Sequence, residues 1–390
     1  MGGLQRRFLG LAGALVLVTG CASQPAASDA GARPASTGTS TTSGAGTRKP
    51  RPVSPMRRPA AGEALAAAYR APVVSGDYAG YPELDRFIAR MITEHGFSRD
   101  YLNGLFSQAE RKDWTIEYMN RQAPSAGPPR PGAWSRYRAK FLTDRHIAEG
   151  AAFWRENASA LSRAQERYGV PAEYIVGIIG VETMYGANTG NHRILDALTT
   201  LAFDYPRRGD YFRGELENYL MMTRAEGIDP LAPKGSFAGA MGLGQFMPGS
   251  FQKWAVDFDG DGRKDLWEPV DAVGSVANYF AAHGWHRGQP VVTPASALGA
   301  RARVLDAGFE TRYSLGTLAS HDIRPTGQVA DGEDLRLLRL SGNAGDEYWL
   351  GHHNFYVITR YNHSTHYAMA VHQLAQAIKQ RYRAPVVAQR

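Results

Sequence analysis

The chain predicts an α+β fold that is mainly α, with one small β part late in the sequence. Three observations carry this. From Tyr78 onward, apolar residues recur at the spacing of a single helix face. Between about 290 and 358 that period gives way to Gly, Pro and alternating residues, as in Leu335-Arg-Leu-Leu-Arg-Leu-Ser and Tyr348-Trp-Leu, the pattern of short strands. The segment 363–382 then returns to the helical period. A chain of 390 residues holds a large core and more than one subdomain. Charged residues make up 21% and aromatics 11%, ordinary values for a globular protein. The net charge of +7 fits either a solubilising basic surface or affinity for anionic polymers and lipid head groups. No zinc-finger spacing or aromatic-rich basic motif occurs, so no nucleic-acid partner is expected.

The first 20 residues read as an address. Arg6 and Arg7 make a basic start, and Phe8 to Val18 make an apolar core too short to span a bilayer, the shape of a signal peptide. It ends at Val18-Thr19-Gly20-Cys21, which resembles the lipobox of bacterial lipoproteins. That resemblance implies cleavage before Cys21 and acylation of its thiol and new amino group. With Ala22 next, it implies an anchor in the outer membrane of a Gram-negative bacterium, facing the periplasm. Cys21 is the only cysteine, so no intramolecular disulfide can form. Residues 21–76 are rich in Ala, Ser, Thr, Gly and Pro and cannot repay the entropy of ordering; they are expected to be a flexible tether.

A helical domain is expected over 77–168. Leu84, Phe87, Ile88 and Met91 mark one helix, and Leu102, Leu105 and Phe106 another. Residues 123–132 form a Pro/Gly-rich loop, after which the helical pattern resumes with Trp134, Tyr137, Phe141, Phe153 and Trp154.

The core is expected over 169–286. Pro171 suits a helix start. Ile175, Ile178 and Ile179 share one face, and Glu182 projects from that same face, seven, four and three residues on. A carboxylate there is paired, hydrated by a cleft, or kept protonated by desolvation; the last makes a general acid, and the plain alternative is a helix-end Glu reaching water. Residues 235–248, Gly-Ser-Phe-Ala-Gly-Ala-Met-Gly-Leu-Gly-Gln-Phe-Met-Pro, hold four glycines, which suit a backbone that approaches a ligand closely.

These two segments, with Arg193-Ile-Leu-Asp-Ala-Leu198, Tyr205-Pro-Arg-Arg208 and Asn354-Phe-Tyr-Val-Ile-Thr-Arg-Tyr-Asn362, resemble the lytic transglycosylases, specifically the membrane-bound lytic murein transglycosylase B family. The resemblance covers roughly residues 78–380. It implies an α domain, a lysozyme-like core, and a small β domain inserted late, here 287–355, before the chain returns to the core over 356–390. It implies cleavage of the bond between N-acetylmuramic acid and N-acetylglucosamine in peptidoglycan, leaving 1,6-anhydro ends. Glu182 would protonate the bridging oxygen and then act as base toward the muramic acid's own 6-hydroxyl. Glu215 and Glu217 fall on a helix read as surface, so one carboxylate is available where most glycosidases need two. By the same match Ser236 and Gln245 contact sugar, and Tyr137, Tyr279, Tyr361, Asn362 and Tyr367 line the cleft. Each tyrosine also suits ordinary packing, and Asn362 also suits a turn cap. Cell-wall synthases are candidate protein partners. A hydrolytic muramidase and a non-catalytic peptidoglycan-binding lipoprotein are the alternative readings.

Residues 257–268, Asp-Phe-Asp-Gly-Asp-Gly-Arg-Lys-Asp-Leu-Trp-Glu, fit an EF-hand-like calcium loop. Asp257, Asp259 and Asp261 take positions one, three and five, and Gly262 takes the turn at six. Arg263 would offer its carbonyl at seven, Asp265 would ligate at nine, and Glu268 would close the set at twelve. Helical patterns flank the loop at 249–256 and 270–283. An acidic turn without metal is the alternative. Transglycosylases of this branch carry such a loop, and a structural Ca²⁺ is expected.

Overall fold

The helical spacing that begins after Tyr78 becomes α1 (Pro82–His95), α2 (Arg99–Phe106) and α3 (Asp113–Arg121) in the computed structural model, which describes residues 68–121 and 131–384. The expected signal segment, Cys21, the tether as far as residue 67 and residues 122–130 of the expected loop lie outside the described residues. α1 buries Leu84, Phe87, Ile88 and Met91, the four residues its sequence period selects, and ends at a left-handed Gly96. Ser98 caps α2 by accepting from the Tyr101 N–H.

The helical stretch from 134 to 168 is three helices rather than one run: α4 (Ala133–Arg138), α5 (Asp144–Glu156) and α6 (Ala158–Tyr168). Thr143 starts α5 by accepting from the His146 N–H, and Gly169, left-handed, ends α6. Next comes α7 (Ala172–Thr183), with Pro171 extended at its N-cap. Its sequence suggests one buried face, yet all its residues are buried. A helix apolar on every side belongs at the centre of a large core. α5, α6 and two later helices, α11 (Pro269–Ala282) and α14 (Thr365–Arg383), surround it.

Between these lie β1 (His192–Arg193), α8 (Ile194–Asp204), α9 (Gly209–Glu226), β2 (Lys234–Gly235) and α10 (Pro248–Trp254). β1 and β2 pair antiparallel, His192 opposite Gly235. The reading of Glu215 and Glu217 as surface residues is corrected here. Glu215 is 8% exposed because its Oε2 accepts from the Gly249 N–H (2.7 Å) at the start of α10. Glu217 reaches across to α1, where Arg90 (2.7 Å) and His95 (2.8 Å) bind it.

The alternating segment folds as expected into a small antiparallel sheet of β3 (Val292–Ala297), β4 (Ile323–Pro325), β5 (Arg336–Gly342) and β6 (Gly345–Gly351), in the order β4-β3-β6-β5. α12 (Leu315–Ser320) packs beside β4. Successive residues of a strand face opposite ways. Leu338 and Leu340 therefore join the main core, while Leu335 and Leu337 form a separate small cluster with Ala302, Leu318, Ile323 and Leu350. α13 (His353–Tyr361) and α14 then lead the chain back against α7.

Candidate active site

Glu182 ends the apolar run of α7, one residue before the helix stops. The stop is abrupt. Met184 (φ 51°) and Tyr185 (φ 58°) are both left-handed, and Gly186 (φ 94°) follows. Left-handed non-glycine residues cost energy and persist where surrounding structure holds them. Here Thr183 provides the hold: its hydroxyl donates to the Leu243 carbonyl (2.9 Å) and accepts from the Gly186 N–H (3.1 Å). The end of α7 is thereby tied to the glycine-rich segment, where Gln245 is also left-handed (φ 51°).

The glycines of that segment also serve the packing of the chain itself. The close approach they allow here is to the protein's own atoms. A Cβ on Gly242 would stand 2.3 Å from the Leu266 carbonyl oxygen, and one on Gly244 would stand 2.9 Å from the Tyr361 hydroxyl. The segment is thus pressed between the acidic loop and α13, and the Leu243 N–H donates to the same Leu266 carbonyl (2.8 Å).

Glu182 is 7% exposed and lines a cleft of about 600 Å³, together with Ser236 and Gln245. It is the only carboxylate among the described residues that line it. The other walls are Trp114 and Tyr118 from α3, the stretch 187–192, and Phe237. Burial lifts the Glu182 carboxyl from its ordinary 4.5 to about 7. The Tyr367 hydroxyl, which donates to Glu182 Oε1 at 2.5 Å, works the other way by favouring the anion, and is the smaller effect. Near neutral pH the group is poised between acid and base, as acid–base catalysis requires.

The other expected site residues fall around this carboxyl at different depths. Tyr367 touches it and is itself buried. Tyr361 and Tyr137 both lie within its electrostatic reach: burial, then the Glu182 charge, raises each phenol. The Tyr361 hydroxyl donates to the Gly244 carbonyl (2.5 Å). Tyr279 sits behind Tyr361, ring centroids 4.8 Å apart, with its hydroxyl on the Arg360 carbonyl (2.5 Å). Asn362 follows α13, is 6% exposed, and its carbonyl accepts from the Ser364 N–H (2.7 Å). Ser236 Oγ accepts from the N–H groups of Ala238 (3.3 Å) and Ala240 (3.0 Å). Gln245 Nε2 donates to the carbonyls of Thr189 (3.1 Å) and Gly242 (2.9 Å).

Sequence reasoning passed over Trp114, Tyr118 and Phe237. Trp114 and Tyr118 are four apart on α3, so their shared face was legible, and their rings pack against His192 (4.4 Å) and Phe237 (4.7 Å). Nothing in the spacing said that this face opens on a cleft.

The acidic loop lies between α10 and α11. Asp257, Asp259 and Asp271 each bring an oxygen within 4.8 Å of the others, a donor set of hard oxygens suited to Ca²⁺. Asp271 was not in the expected set. It is 2% exposed and accepts from the N–H groups of Phe258 (2.7 Å), Asp259 (3.3 Å) and Asp265 (2.8 Å). Asp261 and Asp265 bond the N–H groups of Arg263 and Trp267 (2.8 Å each). Glu268 caps α11 through the Asp271 N–H (2.9 Å).

A central buried helix ending in one carboxyl over a cleft is the arrangement of an enzyme that handles a proton on a large ligand. The family model described as the transglycosylase SLT domain matches residues 80–376, and the chain belongs to that family. Membrane-bound lytic murein transglycosylase B of Escherichia coli (strain K12) is 47% identical over 378 residues, covering 96% of this chain and 98% of that one. The structure of the Escherichia coli lytic transglycosylase Slt35 in complex with bulgecin A is 52% identical with a TM-score of 0.76, covering 80% of this chain and 96% of that one. The Slt35 structure in complex with calcium is 51% identical with a TM-score of 0.75 over the same shares. The mainly helical fold with small sheets agrees with this membership.

Proposed function

We propose that this chain is a lytic transglycosylase that cleaves the β-1,4 bond between N-acetylmuramic acid and N-acetylglucosamine in peptidoglycan, with Glu182 as its single acid–base. The observation that carries the reading is Glu182, the one carboxylate among the described residues that line the cleft, buried there with its pKa raised to about 7. Protonated Glu182 gives its proton to the bridging oxygen as the bond to the anomeric carbon breaks. The anionic carboxylate then takes the proton of the muramic acid's 6-hydroxyl, whose oxygen bonds that carbon and closes a 1,6-anhydro ring. Glu182 ends protonated, and no water is consumed. A second carboxylate to activate water is therefore unnecessary, and the internal nucleophile brings an effective molarity on the order of 10⁵ M or more. The substrate's N-acetyl group stabilises the developing cation.

The polar groups suit a sugar. Gln245 Nε2 faces two carbonyls, which leaves Oε1 to accept an acetamido N–H. Ser236 Oγ accepts from two backbone N–H groups, which leaves its O–H to donate to a sugar oxygen. Tyr137, Tyr361 and Asn362 bound the glycan near Glu182, Tyr367 orients the carboxyl, and Tyr279 backs Tyr361. A structural Ca²⁺ is held in the loop by Asp257, Asp259, Asp261, Asp265, Glu268 and the Arg263 carbonyl, with Asp271 bracing the loop backbone. Cys21 carries a lipid anchor in the outer membrane.

The test is the mass of the products from purified peptidoglycan. Anhydro-muropeptides, lighter by one water than reducing muropeptides, are expected, and Glu182→Gln abolishes them in a folded protein. Reducing products would mean a hydrolytic muramidase, and no products from folded parent protein would mean a binding lipoprotein.

A further inference from the structure

Among the described residues, the large apolar side chains that stand open to water are Val73, Trp114, Leu298 and Val304. Trp114 lines the cleft. Leu298 (72% exposed) and Val304 (73%) fall in one short loop, Leu298-Gly-Ala-Arg-Ala-Arg-Val304, which leaves the end of β3. Scattered single aliphatics are ordinary on a surface; two in one loop, with arginines between them, need a reason.

The fold holds the loop in this state. Gly299 turns the chain with a left-handed backbone (φ 73°), and Arg301–Arg303 make one 3₁₀ turn. Ala302, 1% exposed, enters the small apolar cluster of the sheet. With that side pinned, Arg301, Arg303 and Val304 are turned to solvent. Residues three apart eclipse in a 3₁₀ helix, so Val304 stands over Arg301, and its N–H donates to the Arg301 carbonyl (3.1 Å). Leu298 is fixed by its own N–H on the Asp322 carbonyl (3.1 Å).

The loop contains no acid. Arg301 and Arg303, and Arg324 on the adjacent β4, are exposed and make no ion pair among the described residues, although Asp306 and Asp322 are exposed nearby. A soluble polyanion would use the arginines and leave the aliphatics in water. A purely apolar partner would cover the aliphatics and strip water from the guanidinium groups. The surface of an anionic bilayer satisfies both, because phosphates and acyl chains lie within a few ångströms of each other.

We propose that the loop 298–304 is a contact for an anionic lipid bilayer, with Leu298 and Val304 entering the acyl boundary and Arg301 and Arg303 meeting lipid phosphates. The contact is separate from the lipid proposed on Cys21 and stands without it. A lipid there sets how near the chain stays to a membrane; the loop turns the small sheet toward it.

The test uses residues 22–390, which carry no acyl group and keep every described residue. Sedimentation measures binding to vesicles of phosphatidylethanolamine with phosphatidylglycerol, and to vesicles of phosphatidylcholine alone. The parent is expected to bind the first and to bind the second far more weakly. Leu298→Ser with Val304→Ser is expected to weaken binding to the anionic vesicles about tenfold, and Arg301→Gln with Arg303→Gln to weaken it about as much. All four side chains face solvent, so the melting temperature and the cleavage of soluble glycan strands are expected to stay at the parent's values. A parent that stays in the supernatant, or that sediments equally with neutral vesicles, overturns the contact. Binding that either pair of substitutions leaves unchanged overturns it too: lost only with the arginines, it marks a polyanion site, and lost only with the aliphatics, an apolar one. None of the vesicle readings depends on peptidoglycan cleavage, so this contact and the transglycosylase reading fail separately.

Discussion

The Glu182 carboxyl shows how one residue ties stability to chemistry. Its folded pKa, about 7, lies above its ordinary 4.5, so the folded chain holds this proton more tightly than the unfolded chain does. Folding therefore loses stability as pH rises from 4.5 to about 7, and the loss is constant above that. Glu182→Gln removes the buried charge. Thermal unfolding is expected to show the variant more stable than the parent above pH 7, by on the order of 3 kcal/mol, with the gap closing below pH 4.5. A gap independent of pH would mean that the carboxyl is not held in this way. Tyr367→Phe removes the donor that favours the anion. The acid then ionises at higher pH, so the alkaline limb of the pH–rate profile is expected to move up; a limb that stays or moves down contradicts the hydrogen bond's role. The sequence placed Glu182 on a buried face but gave no sign of Tyr367 as its partner, because the two are 185 residues apart.

At the scale of elements, the acidic loop and the glycine-rich segment act as a pair through Leu266. The carboxylates of the loop repel one another until a cation joins them. Calcium is expected to raise the melting temperature of the purified protein and a chelator to lower it; indifference to both would reject the ion. The acidic pattern was legible in twelve consecutive residues, and of the ligands it proposes Asp257 and Asp259 lie together with Asp271. Asp271 was missed because it lies beyond them and acts on the loop's backbone, as a buried capping carboxylate. The glycine pattern was legible too, but its meaning was not. A glycine reports that something comes close, and only the packed structure says whether that is a ligand or the chain's own carbonyl.

At the scale of the whole molecule, the described residues form two apolar clusters of unequal size, and the smaller one belongs to the sheet. Leu337 faces that cluster and is fully buried. Leu337→Ala is expected to cost about 2–5 kcal/mol. Limited proteolysis should then open the 298–334 region first, with anhydro-product formation retained; equal opening around Glu182 would mean that the two clusters unfold together. No helix among the described residues is long and apolar enough to cross a membrane. The proposed attachment is a lipid on Cys21, so Cys21→Ala is expected to move the protein from the membrane fraction to the soluble periplasmic fraction, and an unchanged distribution rejects the lipid anchor. By itself the sequence determined the mainly helical class, the late small sheet, the position of Glu182 on an apolar helix and the acidic loop, because each is written within a few helical turns or one short segment. Tertiary structure alone decided that α7 is buried on every side, that Glu215 is a buried structural acid, that Trp114 and Tyr118 line the cleft, and that Tyr367 holds the carboxyl. Those facts depend on contacts between distant segments, and local periodicity carries no information about which faces will meet.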